Sequence, residues 1–215
     1  MADEKVDVEK NVNIWKNAEV YVSDNEDAQI EADGTFGDEW LQVGMLAGGS
    51  SIGQERDADR NEVEGWGAQL ITTEQKFKKD TRTFTALEDT ATTFGLMYPN
   101  SDYNEGGVTI VLAPEDAKKV IAFKTINQHG KALIEVSRVP ANIYPSSMDK
   151  NDDGASSTEF TAEIRKDADG ALYERATFDE DATNVNPEIT RFKQGGGSEP
   201  TDPEPGEGDG GAEGE

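Results

Sequence analysis

The strongest chemical motif in the sequence is a short acidic run with the spacing of calcium ligands. Asp149, Asn151 and Asp153 match the first half of a calcium-binding loop of the EF-hand type. The second half departs from that loop, because Ser156 replaces an aliphatic residue and Phe160 replaces the closing bidentate glutamate. We therefore interpret the run as a solvated turn between two strands, and weak calcium binding by its carboxylates is the open alternative.

Residues that could catalyse a reaction do not form a recognisable set. The chain has no cysteine, and its one histidine, His129, precedes Gly130 in a predicted tight turn, where we expect it to be exposed. Residues 48–51, Gly-Gly-Ser-Ser, lack the lysine and hydroxyl of a phosphate-binding loop. Any fold with 45 acidic side chains places some carboxylates at hydrolase spacing, so such pairs indicate nothing. We predict no catalytic residue, no cofactor and no metal site, and hence no enzyme.

A charged stretch between two tryptophans is the better candidate for a functional surface. Residues 48–64 separate two apolar-alternating runs bracketed by Trp40 and Trp66, and we predict that they form a long loop. Loops longer than about 12–15 residues without structure of their own are usually functional or disordered. Arginine suits paired contacts across interfaces. We predict a contact loop held by a partner, with a solvated surface as the alternative, formed by Ser51, Glu55, Arg56, Asp57, Asp59, Arg60 and Glu62.

Length and charge limit the classes of protein that this chain can be. Its 215 residues suit one domain with appendages, and its net charge of −25 argues against a free-standing nucleic-acid binder. The lack of cysteine excludes disulfides and thiolate zinc sites, which suits assembly in a reducing cytosol. Neither a signal peptide nor an apolar run approaching the roughly 18 residues of a membrane span is present. We expect a soluble protein made in the cytoplasm, with no membrane partner.

The two ends of the chain differ in composition from its middle. Residues 1–17 are polar apart from Ile14, Trp15 and three valines, and we predict an N-terminal arm that docks on a neighbour through Trp15, against the alternative of a frayed terminus. Residues 193–215 contain glycine, proline and acids without a large apolar side chain, which predicts a disordered tail. Residues 18–192 then form the folded domain.

Hydrophobic periodicity in the domain predicts an antiparallel, mainly β fold with one short helix. The helix is predicted at residues 90–98, after Asp89 and before Pro99. An acidic linker is predicted at 24–39. The clearest hairpin joins 120–128 to 131–140 through His129 and Gly130. A proline-interrupted connection follows at 141–157, and a closing hairpin joins 158–165 to 171–178. Further strands are predicted at 18–23, 41–46, 70–78, 81–87 and 107–114.

Four short strings between Val43 and Tyr98 stand in a particular order and spacing: V-G-M-L at 43–46, E-R-D-A-D-R-N at 55–61, G-W-G at 65–67 and F-T-A-L-E-D at 84–89. In that order and spacing the segment resembles the major tail tube proteins of long-tailed (siphovirus-type) bacteriophages, most closely those of actinobacterial phages. The resemblance implies a β-sandwich or half-barrel subunit with one helix, which assembles as stacked hexameric rings around a DNA channel. The predicted contact loop would then pair its arginines with acids on the next ring.

The resemblance also implies partners and a location. These are further copies of the chain, the tape-measure, tail terminator and distal tail proteins, and genomic DNA that passes through the lumen without specific binding. The protein would be made in the host cytoplasm and reside in the virion tail. The rival hypothesis is a monomeric β-sandwich that binds carbohydrate or calcium, for which the Asp149 run and the three tryptophans are the support.

Overall fold

Antiparallel strands form most of the part of the chain that the computed structural model describes, which comprises residues 13–66, 69–150, 152, 154–178 and 191–193. Within these residues there are nine strands and one short helix, so the predicted fold class is confirmed. In chain order the elements are β1 (Trp15–Ser23), β2 (Leu41–Gln42), β3 (Gly53–Gly65), β4 (Gln69–Ala86), α1 (Ala91–Met97), β5 (Ala117–Asn127), β6 (Ala132–Ser137), β7 (Ala141–Asp149), β8 (Ser157–Ile164) and β9 (Tyr173–Phe178).

Strand β5 divides the structure into two sheets. One of its edges pairs with β1, while the other pairs first with β7, over residues 117–119, and then with β6, over residues 122–126. The first sheet therefore has the order β2-β1-β5-β6-β9, and the second has the order β5-β7-β8-β4-β3. At the division, the Ile121 amide donates to the Ser137 hydroxyl at 3.1 Å instead of to a backbone carbonyl.

The run Val-Ile-Ala-Phe at 120–123 explains why β5 holds this position. Four consecutive apolar residues suit a strand that is buried on both faces. Ile121 and Phe123 point into a core between the two sheets, together with Phe84 and Phe160. Val120 and Ala122 point into a second core on the outer face of the first sheet.

The second core is covered by residues that the sequence predicted to be a linker. Ala28 and Ile30 from this segment, together with Trp40 directly after it, pack against the first sheet, and the Trp40 indole donates to the Gln29 carbonyl at 2.9 Å. Phe192, near the end of the described chain, is also buried there. The acidic segment thus forms a lid over the second core, because Ala28, Ile30 and Phe36 pack against the sheet.

The predicted helix and the predicted central hairpin are both present. Thr90 caps α1 in a reciprocal arrangement with Thr93, and Phe94 and Met97 bury its apolar side. Gly130 adopts a φ of 80° in the turn between β5 and β6. That turn is longer than the two residues predicted, because the Asn127 side chain accepts hydrogen bonds from the amides of His129 and Lys131.

Other predicted elements are wrong. Residues 141–149 form a strand, in which Pro145 is tolerated beside a register shift. Strands β8 and β9 do not form a hairpin, because β8 pairs with β4 and β7 whereas β9 pairs with β6 in the other sheet. Residues 41–46 contribute a two-residue strand and a single bridge from Leu46 to Ala86. Residues 107–114 form no strand and are mostly exposed.

The predicted ends of the domain are only partly described. Strand β1 begins at Trp15, so the last three residues of the predicted arm belong to the sheet. Lys193 also contacts the fold, because its amide donates to the Ile30 carbonyl at 2.7 Å. Residues 1–12 and 194–215 lie outside the described residues. The described part of the chain contains no helix of the length and apolarity that a membrane span requires.

Candidate functional site

The residues predicted to form a contact loop lie mostly on a strand. From Gly53 to Gly65 the chain is β3, paired with β4 in register from Gly53 opposite Thr83 to Gly65 opposite Gln69. The loop prediction is therefore wrong for all of these residues except Ser51, which precedes β3. The strand lacks apolar alternation because its described side chains are exposed or half-buried on both faces. All seven predicted site residues are exposed: Ser51, Glu55, Arg56, Asp57, Asp59, Arg60 and Glu62.

Strands β3 and β4 extend well beyond the sheet to which they belong. Residues 80–86 of β4 pair with β8, whereas residues 69–79 pair only with β3 among the described residues. Residues 58–79 therefore form a two-stranded extension, here called the projecting hairpin. At about 3.3 Å per residue, its arms reach roughly 35 Å from the body. Asp59, Arg60 and Glu62 lie on this hairpin, and Asp57 lies at its base. Glu55 lies further into the sheet, opposite Thr81, and Ser51 precedes β3.

The projecting hairpin carries both signs of charge and a tryptophan near its tip. The Lys78 ammonium lies 2.7 Å from the Asp59 carboxylate, and the hydrogen bond between them raises the pKa of Lys78. Arg60 lies opposite Gln75, and its side chain is exposed. Trp66 is fully exposed directly after β3. The surface offers charged groups and one large aromatic ring to a neighbouring molecule.

Arg56 has a different role from the one the sequence predicted. Its Nε donates to Asp80 Oδ2 at 2.8 Å, and the Asp80 side chain is fully buried. Gln54 Nε2 donates to the same oxygen at 2.7 Å, and the Tyr173 hydroxyl donates to Oδ1 at 2.7 Å. A buried carboxylate needs such partners to remain charged. Arg56 therefore holds the base of the hairpin to the body instead of reaching freely toward a neighbour.

A polar network extends this anchor across the space between the two sheets. Arg82 donates to the Tyr173 hydroxyl at 3.0 Å and to Glu135 at 2.9 Å. Its guanidinium carbon lies 4.8 Å from the centroid of the Tyr173 ring, a cation–π arrangement. Burial, followed by the hydrogen bond to Asp80, raises the pKa of Tyr173 well above its ordinary value.

Sequence reasoning missed this network although β4 contains a signal for it. Asp80, Arg82, Phe84 and Ala86 alternate with threonines and share one buried face of the strand. Two charged residues in register with two apolar core residues indicate a buried ion pair or network. The buried face formed by these four residues lies in the C-terminal part of β4, which is the part that pairs with β8 in the body.

The predicted arm residues lie at the start of β1. Ile14 and Trp15 are each about half exposed. The Ile14 amide donates to Gln128 Oε1 at 2.8 Å, and Trp15 pairs in register with Asn127. Both residues are thus fixed to the fold through their backbones, while their side chains remain available to a neighbour.

The acidic run considered for calcium lies between β7, which ends at Asp149, and β8, which begins at Ser157. Asn151 and Asp153 lie outside the described residues. Phe160 is fully buried in the core, as expected for a residue that is not a ligand. No cluster of three metal-ligating side chains occurs in the described ranges.

Comparison with known proteins gives weak similarities in structure alone. No family model matches the chain, and no curated protein matches it. One solved chain that resembles it comes from the cryo-EM structure of an extracellular contractile injection system, the PVC sheath-tube complex in its extended state. The identity is 13%, the TM-score is 0.42, and the match covers 82% of this chain and 98% of the other.

A second solved chain comes from the anti-feeding prophage cap, a tube-terminating cap. The identity is 12%, the TM-score is 0.41, and the match covers 82% of this chain and 99% of the other. Similarity at these levels assigns no function to the present chain.

Proposed function

We propose that this chain is a structural virion protein, the major tail tube subunit of a long-tailed phage, which polymerises as stacked hexameric rings. The observation that carries the proposal is the projecting hairpin, residues 58–79. The resemblance of residues 43–98 to tail tube proteins supports it independently, since that segment includes the whole hairpin. In this proposal the chain has no catalytic activity, and it takes no cofactor.

The partner of the projecting hairpin in this proposal is a second copy of the chain. A two-stranded hairpin that contacts nothing else is not expected to be stable in water. A long unpaired edge strand also invites pairing with other chains. Arg56 and the buried Asp80 fix the base of the hairpin to the body, which preserves its direction as it leaves the sheet. A fixed, extended arm with a fully exposed Trp66 near its tip suits contact with the next ring.

The side chains of the hairpin have distinct roles in the proposed contact. Trp66 is the aromatic anchor, since interface energy concentrates in a few residues and tryptophan is enriched among them. Asp59, Arg60 and Glu62 give the contact its charge pattern. Glu55 and Asp57 form the rim of the contact near the base of the hairpin, whereas Ser51 lies farther from it, before β3. The arm residues Ile14 and Trp15 face a neighbour within the same ring.

The net charge of −25 fits a conduit through which DNA passes without binding. An acidic lumen repels phosphates and prevents adhesion. The proposed partners are further copies of the chain, the tape-measure protein, the tail terminator and the distal tail protein. The protein would assemble in the host cytoplasm and remain in the virion tail.

The test is to remove the projecting hairpin and image the product by negative-stain electron microscopy. In the variant, an Asn-Gly turn replaces residues 58–78 and joins Asp57 to Lys79, which lie opposite each other. We expect the wild-type chain to form long tubes and the variant to stay folded but form at most single rings. The control, Trp66→Ala, retains the hairpin and should form shorter tubes. Long tubes from the truncated variant, or monomers alone from the wild type, would contradict the proposal.

A further inference from the structure

An exposed apolar segment follows the helix and makes almost no contact with the rest of the fold. Residues 108–112, Val-Thr-Ile-Val-Leu, lie in a stretch from 98 to 116 without helix or strand. The exposed fractions are 89% for Val108, 77% for Ile110, 51% for Val111 and 49% for Leu112. Single exposed apolar residues are common, but a contiguous run of them marks an interaction site.

The backbone of the apolar segment is as unpartnered as its side chains. Among the described residues, its one backbone hydrogen bond runs from the Leu112 amide to Ser101 Oγ, at 2.9 Å. Four of its five residues are β-branched, which favours an extended strand. The segment therefore has the composition of a strand but no strand beside it within this chain.

Strand β1 offers an open edge on the same molecule. Its neighbour β2 pairs only with Tyr21 and Val22, and the Val43 amide reaches the Val20 carbonyl. Among the described residues, no strand lies beside the outer edge of β1 from Trp15 to Glu19. That edge borders a cleft of about 330 Å³, here called the β1 cleft. Residues 46–52 form its opposite wall, and the core residue Phe84 also lines it.

Charge favours contact between these two surfaces over other self-contacts. A chain with a net charge of −25 repels its own copies over most of its surface. Residues 106–114 carry no charge, and Lys16 is the one charged residue lining the β1 cleft. The acids that flank the segment, Glu105 and Glu115, would approach that lysine when the segment lies in the cleft.

We propose that residues 108–112 of one copy add as a strand to the open edge of β1 on a second copy. Alternate side chains, those of Val108, Ile110 and Leu112, enter the β1 cleft, while the backbone pairs with the outer edge of β1. The contact joins different surfaces of the two copies, so it repeats around a ring and closes if the rotation permits. The inference rests on the proposed function and specifies the contact within each ring.

Cysteine cross-linking tests the contact, because the natural chain has no cysteine. An Ala18→Cys chain is mixed with a differently tagged Ile110→Cys chain under assembly conditions and oxidised. Ala18 lines the cleft, and a disulfide requires Cα atoms within about 7 Å. We expect at least tenfold more mixed dimer than in a control mixture with Ala168→Cys, which places the cysteine on an exposed turn elsewhere.

Two substitutions on opposite sides of the segment provide a matched comparison. Ile110→Ser should raise the protein concentration needed for assembly at least tenfold, because this side chain enters the cleft. Val111→Ser, its outward-facing neighbour, should change it less than twofold. Since both side chains are more than half exposed, circular dichroism of both unassembled variants should match that of the wild type.

The outcomes separate the contact from the proposed function. Tubes that form without the mixed disulfide, or that respond equally to both serine variants, would overturn the contact and leave the tube proposal intact. Absence of both tubes and disulfide would overturn both. If deletion of residues 2–12 prevents assembly while Ile110→Ser does not, the N-terminal arm of the chain occupies the cleft and the contact proposed here is wrong.

Discussion

Asp80 connects the projecting hairpin to the body of the molecule. Its buried carboxylate accepts hydrogen bonds from Gln54 and Arg56, which both lie on β3, and from Tyr173, which lies on β9. Removing one member of a buried, charged network leaves the remaining charges without compensation. The network therefore stabilises the fold and also directs the hairpin.

We expect Asp80→Ala to lower the free energy of unfolding by about 3 kcal/mol, because it leaves Arg82 buried beside an emptied site. Urea denaturation followed by circular dichroism measures the change. The control is Asp59→Ala, which removes an acid of the same type from an exposed ion pair and should change stability little. Equal effects of the two substitutions would show that the buried network does not hold the base of the hairpin.

The raised pKa of Tyr173 leads us to expect that the free energy of unfolding falls at high pH. Burial and its hydrogen bond to Asp80 raise its pKa above the ordinary value of 10.0, so the folded chain retains a proton that the unfolded chain loses. The stability contributed by this group is complete below about pH 10 and declines as the pH rises toward the folded-state pKa. We expect urea denaturation between pH 9 and 11 to show this decline, and Tyr173→Phe to reduce its slope. An unchanged slope in Tyr173→Phe would contradict the assigned cause.

Two elements show why local pattern was an incomplete guide to structure. Strand β3 was not predicted because neither of its faces is buried, so its sequence does not alternate between apolar and polar residues. A charged sequence without that alternation resembles a loop. Residues 107–114 gave the opposite error, because their apolar run resembles a buried strand but remains exposed in the single chain. Patterns such as the β5 run at 120–123 succeed because their burial is complete within one chain. An apolar pattern such as that of residues 107–114 indicates that the residues become buried. It does not indicate whether the burying partner is the same chain or another one.

At the level of the hairpin, charge reversal is informative at Arg60 but not at Arg56. Reversal at Arg56 would set a carboxylate against Asp80 and disturb the body as well as any contact. We expect Arg60→Glu to leave the circular dichroism spectrum unchanged, to shorten tubes at low salt, and to recover partly at high salt as repulsion is screened.

The control for this reversal is Lys166→Glu, which makes the same change of charge at an exposed position outside the hairpin. Tube lengths from electron micrographs provide the measurement. If the two variants form equally long tubes at low salt, the charged face of the hairpin does not contribute to stacking.

At the scale of the whole molecule, residues 191–193 close the second core. Phe192 is 1% exposed, and the Arg191 guanidinium donates to the carbonyls of Ala28 and Arg138. The Ile30 amide in turn donates to the Arg191 carbonyl at 2.6 Å. A few residues next to the acidic tail thus hold the lid formed by the 24–39 segment.

Two truncations separate this closure from the tail. A chain ending after Gln194 should match the wild type in both unfolding and assembly, because residues 195–215 contain no large apolar side chain. A chain ending after Thr190 should lose roughly 3 kcal/mol or more, since it removes a buried phenylalanine from the core. Urea denaturation compares them. Comparable stability of the two chains would show that Phe192 does not contribute to the core.

The proposed function depends most on whether the purified full-length chain forms tubes, and cryo-electron microscopy of that chain at increasing concentration is the most direct measurement. We predict hollow tubes of constant diameter built from stacked rings, in which residues 58–79 of each subunit cross the boundary to the next ring. Monodisperse single subunits at every concentration, or tubes in which this hairpin contacts no neighbouring ring, would contradict the central claim.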